Sequence, residues 1–208
     1  MGFNNFARKV RDASLPYGHR VVSLRSCVQL YRPIGFEATV GYLEAESGPF
    51  REDETSLLRA LNMIGTSRAL WQEDVRGYAV LRAEAKRRGR RVPRDDEGNP
   101  LRPAFWYGAR REAALYALAH WLGRRSEGHR DDELGHAIAR LAVGCVATDG
   151  ALGEREWVSL GACAAELERR VIPPAWQDAR AGYYGTWELR FAVHLMRTAA
   201  PDEVIPRG

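Results

Sequence analysis

A short stretch near the middle of the chain carries residue types and spacings able to hold a metal ion or move a proton. His129 is followed by Asp132, Glu133 and His136 at offsets of three, four and seven. On one helical face these side chains would present nitrogen and oxygen ligands to a single divalent metal. The missing ligands would come from Asp149 or Glu156, in the acidic corner downstream. A hard cation takes six or more oxygens, so those two carboxylates alone are too few. The histidines also stand close behind arginines, in Arg124-x4-His129 and Arg130-x5-His136. Such a pair would use His for proton transfer and Arg against phosphate charge. The competing reading of the whole stretch is a solvated helix face. In a chain this rich in arginine, Arg–His spacings also arise by chance.

A second candidate is the basic run Lys86-Arg-Arg-Gly-Arg-Arg91. Arg87, Arg88, Arg90 and Arg91 would meet nucleic-acid phosphates with steeply salt-dependent affinity. No aromatic residue interleaves them, so base stacking on single strands is unsupported. Alternatively the run is a helix C-terminus whose cations complement the dipole, answered by the acidic Asp95 to Glu97. The net charge of +4 is milder and more spread than a nucleic-acid module usually carries. Lys9 and Lys86 are the only lysines, so the Arg bias reads first as genome composition. No phosphate-binding glycine loop, GxSxG elbow, HExxH helix or deaminase-type zinc pattern occurs, leaving no complete catalytic constellation.

The elements that must position these groups are helical. Leu134, Ala137, Ile138, Leu141 and Cys145 recur at helical spacing, and Asp131, Asp132 and Glu133 would start that helix at its positive end. Gly150 comes just after the last periodic residue and is suited to the left-handed conformation that closes a helix. Trp157, Leu160, Ala164, Leu167 and Val171 then mark the face of a second helix. Leu152 and Trp157 flank its first turn as a hydrophobic staple, with Gly153 as N-cap and Glu156 reaching back to it. The spacing therefore predicts an αα-hairpin with its corner at Asp149-Gly150. Capping alone would also select Asp, Gly and Glu at these places.

Thr148-Asp-Gly-Ala-Leu-Gly-Glu-Arg-Glu156 resembles the ADG-x-(V/I)-S-x-x-E signature of TerB-like tellurite-resistance domains, which also occur in DjlA-type co-chaperones. The match falls on Asp149, Gly150, Leu152 and Glu156; Gly153 stands where the family has a capping Ser. The resemblance implies an all-helical domain over about residues 104–200, with corner carboxylates that bind divalent metal. That role would transfer to Asp149 and Glu156. There is no His-Pro-Asp tripeptide, so J-domain activity does not carry over. The Arg–His pairs also resemble the loose signature of HEPN-type ribonucleases, themselves helical bundles, which makes a ribonuclease one alternative function.

The rest of the chain reads as an all-α multi-helix bundle, orthogonal or antiparallel. Residues 1–48 would form an N-terminal layer on a main bundle of residues 49–208, divided at Ser47-Gly-Pro49. Residues 20–44 fit short helices or a small β-hairpin, and helices are preferred because every later segment is helical. Phe3, Phe6 and Val10 would bury one face of a first helix. The alanine-rich segment 104–122 should sit in the middle of the bundle, and Trp187 to Met196 should close it. With 45% hydrophobic and 28% charged residues the chain is an ordinary globule. Three cysteines without CxxC spacing imply buried thiols in a reducing compartment. No apolar run is long enough to span a bilayer and no signal peptide is visible. These features imply a cytoplasmic chain; the resemblance to TerB-like domains, with no complete catalytic constellation, implies a non-catalytic binding or stress-accessory protein. It would dock a protein partner, with nucleic acid as the alternative partner and a divalent metal as the one cofactor its side chains would accept.

Overall fold

The computed structural model describes residues 2–90, 105–125, 133–170 and 179–201. These form eight α-helices and no strand. Two compact units result, Met1–Ala109 and Arg110–Gly208. The Ser47-Gly-Pro49 break falls inside the first of them. Among the described residues no helix is long and apolar enough to cross a membrane.

The first unit contains α1 (Phe3–Arg11), α2 (Tyr17–Leu30), α3 (Phe36–Ser47) and α4 (Glu54–Arg87). Residues 20–44 are therefore helical, not a hairpin of strands. α1 packs on α2 and α4 through Phe3, Ala7 and Val10, which are buried; Phe6 stays at the edge of that face. α4 runs straight through Gly65 as one helix of 34 residues. A helical glycine costs only about 1 kcal/mol, so it does not interrupt a helix held by packing. The Asp53 carboxylate opens α4 by accepting from the Ser56 backbone N–H at 2.6 Å. A buried polar knot joins α2 to α4: Ser67 Oγ lies 2.9 Å from the Tyr31 hydroxyl and accepts from the Tyr107 backbone N–H at 2.9 Å. Beside it Trp106 is buried edge-on against Tyr42.

The second unit contains α5 (Arg110–Arg125), α6 (Glu133–Ala147), α7 (Glu154–Arg169) and α8 (Ala179–Ala199). α5 buries Ala113, Ala114, Ala117 and Leu118 against α6 and α8, while Ala119 faces solvent. α6 and α8 each touch the other three helices of the unit. α8 does so through a broad apolar arc of Leu189, Ala192, Val193, Leu195, Met196 and Ala199. Trp187 lies outside that arc, half exposed and stacked on Phe191 one turn later at 5.4 Å.

One device recurs at the helix ends. The last carbonyls of a helix have no intrahelical partner and carry the negative end of the dipole. Arg20 of α2, its side chain 5% exposed, donates from Nε to the Val10 carbonyl at the end of α1 and from Nη2 to Glu54 at the start of α4, at 2.8 and 2.6 Å. Arg59 of α4 donates to the Ser47 carbonyl that ends α3, and Arg190 of α8 donates to the Leu167 carbonyl near the end of α7. Charged donors of this kind contribute about 1.5–3 kcal/mol each when shielded from water.

Arg20→Ala should therefore destabilise the protein by about 2 kcal/mol in urea unfolding, because it strands a buried carbonyl and removes packed stem atoms. Arg20→Lys should recover only part of this, since one ammonium does not reproduce a fork aimed at two helices. The Ser56 hydrogen bonds hold the Asp53 carboxyl below its ordinary value. A lowered folded pKa means that its stabilisation is present above about pH 3.9 and is lost as pH falls through the folded value. Melting temperatures of wild type and Asp53→Ala should accordingly differ at pH 7 and converge on acidification.

Candidate functional site

The Asp149-Gly150 corner is assembled from three helices. α6 closes through two bonds: the Gly150 N–H reaches the Cys145 carbonyl at 2.7 Å and the Asp149 N–H reaches the Val146 carbonyl at 3.3 Å. This pair of bonds makes a Schellman motif in which the left-handed residue is Asp149, at φ 52°, with Gly150 next at φ 86°. Asp tolerates that conformation because its short side chain is readily accommodated there. The sequence placed the left-handed closure on Gly150 alone. What demands a glycine at 150 is an approach from α8: a Cβ there would stand 2.2 Å from the Ala199 carbonyl oxygen.

Arg111, in the first turn of α5, completes the corner. Its Nε donates to the Asp149 carbonyl at 3.1 Å, and its Nη2 donates to that same oxygen and to the Asp149 carboxylate, the latter at 2.8 Å. The Arg111 side chain is 39% exposed and the Asp149 side chain 77%. The ion pair is consequently screened and contributes little by itself. The bonds to the carbonyl make Arg111 the fourth arginine to close a helix end from a neighbouring helix. No local pattern announces it, because it lies 38 residues from its partner.

Beyond the corner α7 restarts as its spacing predicts. Gly153 is the N-cap, and the Trp157 N–H donates to its carbonyl at 3.0 Å. Leu152 is buried before the cap and Trp157 partly buried after it. The indole N–H of Trp157 is buried without a hydrogen-bond partner among the described residues. The Glu156 carboxylate folds back over Gly153, within 2.6 Å of where a Cβ would lie. It also lines an open groove between α6 and α7 with Arg140 and Ser159.

These placements separate the proposed metal ligands. Asp149 is engaged by Arg111, Glu156 lies over its own helix start, and His136 is on the exposed side of α6. His129, Arg130, Asp131 and Asp132 lie outside the described residues. Among those described, no group of three or more His, Cys, Asp or Glu side chains is arranged to hold a metal. The basic run fares similarly. α4 ends in a second Schellman motif around Gly89, at φ 74°, with the Arg90 N–H bonded to the Ala85 carbonyl at 2.9 Å. Arg88 is ion-paired with Glu84 one turn back, Arg90 is half-buried, and Lys86 and Arg87 point to solvent. Arg91 lies outside the described residues.

Burial disfavours the thiolate at all three cysteines. Cys27, Cys145 and Cys163 are all free and buried. Burial pushes Cys27 up to about 12 and Cys145 up to about 11, and raises Cys163 as well.

No protein-family model, characterised protein or solved structure matches the chain.

Gly150→Ala should destabilise the protein by about 2–5 kcal/mol, combining left-handed strain with overpacking against the α8 backbone. Gly144→Ala, one turn earlier in α6 with open space around it, should stabilise by up to about 1 kcal/mol. Denaturant midpoints of the two variants moving in the same direction would contradict the corner geometry. At pH 7.5 Cys27 and Cys145 of the native protein should react with a thiol reagent slowly and only through unfolding, while Cys163, which lines the α6–α7 groove, should react ahead of them.

Proposed function

We propose that this chain is a non-catalytic, cytoplasmic binding and stress-accessory protein whose second unit is TerB-like and docks a protein partner. The observation that carries this reading is the corner from Thr148 to Glu156. There the helix closes at Asp149-Gly150 and restarts at Gly153, with Glu156 folded over the cap, as the signature implies. Docking is favoured over metal sensing at this place because the Asp149 charge is already answered by Arg111. A cation would have to displace a guanidinium and still find several more oxygens. The exposed Arg111–Asp149 pair instead offers a partner one donor and one acceptor on a rigid support, an arrangement suited to orienting a charged surface.

The test is affinity capture from a cell extract with wild type and with Asp149→Asn, which tolerates the left-handed backbone but loses the charge. Specific partners should be retained by wild type and weakened at least tenfold by the variant, while the melting temperature changes by no more than about 2 °C. Equal capture by both proteins would sink the reading. So would RNA cleavage by the purified protein that His136→Ala abolishes, or a rise of several degrees in melting temperature with millimolar calcium, magnesium or zinc. Retention of duplex DNA that falls steeply with salt and is lost on Arg87/Arg88/Arg90/Arg91→Glu would move the function to the basic run.

A further inference from the structure

We infer that the groove between α7 and α8 binds a small phosphate monoester that also carries hydroxyl groups. The groove has a volume of about 360 Å³, the size of a sugar phosphate or mononucleotide site. Its floor is apolar, made by Leu167 and Val193. Arg190, His194 and Arg197 line it at offsets of four and seven along α8, so all three stand on one helical face. Arg190 is anchored by its 2.7 Å bond to the Leu167 carbonyl, which fixes the guanidinium at the rim with further N–H donors unspent. Neither Arg190 nor Arg197 has an ion-pair partner among the described residues. Arg197 adds a second, open guanidinium two turns further along the same face, and a guanidinium grips phosphate through paired bonds.

Glu168 on the opposite wall selects among anions. Its carboxylate would repel a bare phosphate but accept hydrogen bonds from the hydroxyls of a phosphorylated sugar. The inference is independent of the docking reading, since none of these residues belongs to the Asp149 corner.

Calorimetric titration of the full chain at fixed ionic strength, with ribose 5-phosphate and inorganic phosphate as probes, tests it. Ribose 5-phosphate should bind saturably at one site and at least tenfold more tightly than inorganic phosphate. Arg197→Ala should weaken it at least tenfold without moving the melting temperature, because that side chain makes no hydrogen bond or ion pair among the described residues. Glu168→Gln should narrow the preference for the sugar phosphate over phosphate, and Asp149→Asn should leave both affinities unchanged. The assignment is overturned by the absence of saturable binding, by equal affinity for the two probes, or by indifference to Arg197→Ala. Binding of short RNA without binding of ribose 5-phosphate would likewise replace it with a polymer site.

Discussion

A helix that ends inside a fold leaves carbonyl oxygens with no partner, and in this protein neighbouring arginines meet that need. Arg20, Arg59, Arg111 and Arg190 each reach from one helix to a carbonyl at or close to the end of another. The arrangement satisfies the buried Val10 carbonyl and the part-buried Ser47 and Leu167 carbonyls, and it sets positive charge against the negative end of the dipole. Each of these bonds fixes one helix against its neighbour in the chain, and Arg20 also reaches the non-consecutive α4 through Glu54. α1 and α4 are both held by Arg20, whose guanidinium is almost fully withdrawn from water. Guanidinium suits this work better than ammonium because it remains charged and its donors are fixed in a plane.

The Asp149-Gly150 corner concentrates the same logic. α6 is closed by its own backbone, α5 contributes Arg111, and the end of α8 presses its Ala199 carbonyl onto Gly150. Each contact limits the others: a side chain at 150 would push α8 away, and an unpaired Asp149 carbonyl would leave the Schellman turn without its brace. The corner is thus first a structural joint. A surface that is rigid because the core demands it is also a good place for recognition, since little freedom is lost when a partner binds. The α7–α8 groove shares this property through Arg190, which serves the helix end and the groove together.

The alternative chemistries weaken for reasons of placement. A metal site needs its ligands to converge, whereas Asp149 and Glu156 are turned to different partners. A nucleophilic thiol needs to ionise, and burial opposes this at Cys27, Cys145 and Cys163. The basic run spends part of its charge on its own helix, in the Arg88–Glu84 pair.

Local information settled a great deal. The helical periods on either side of residue 150, the glycine at the turn and the Gly153 cap are all written within a few residues, and they are all present. The thiols' burial was legible too, since Cys145 falls on the apolar stripe of its helix and Cys163 inside the next helical pattern. For residues 20–44 helical and alternating patterns overlap in the chain, and packing of α2 and α3 against α4 decided for helices. Which helices meet in the second unit was also decided by tertiary packing. Composition pointed to α5 as its middle, whereas α6 and α8 each touch the other three helices. The arginine bonds and the α8 approach to Gly150 were beyond local reading altogether. They join residues 10 to 38 or more positions apart, and only the folded backbone brings such donors and carbonyls within reach.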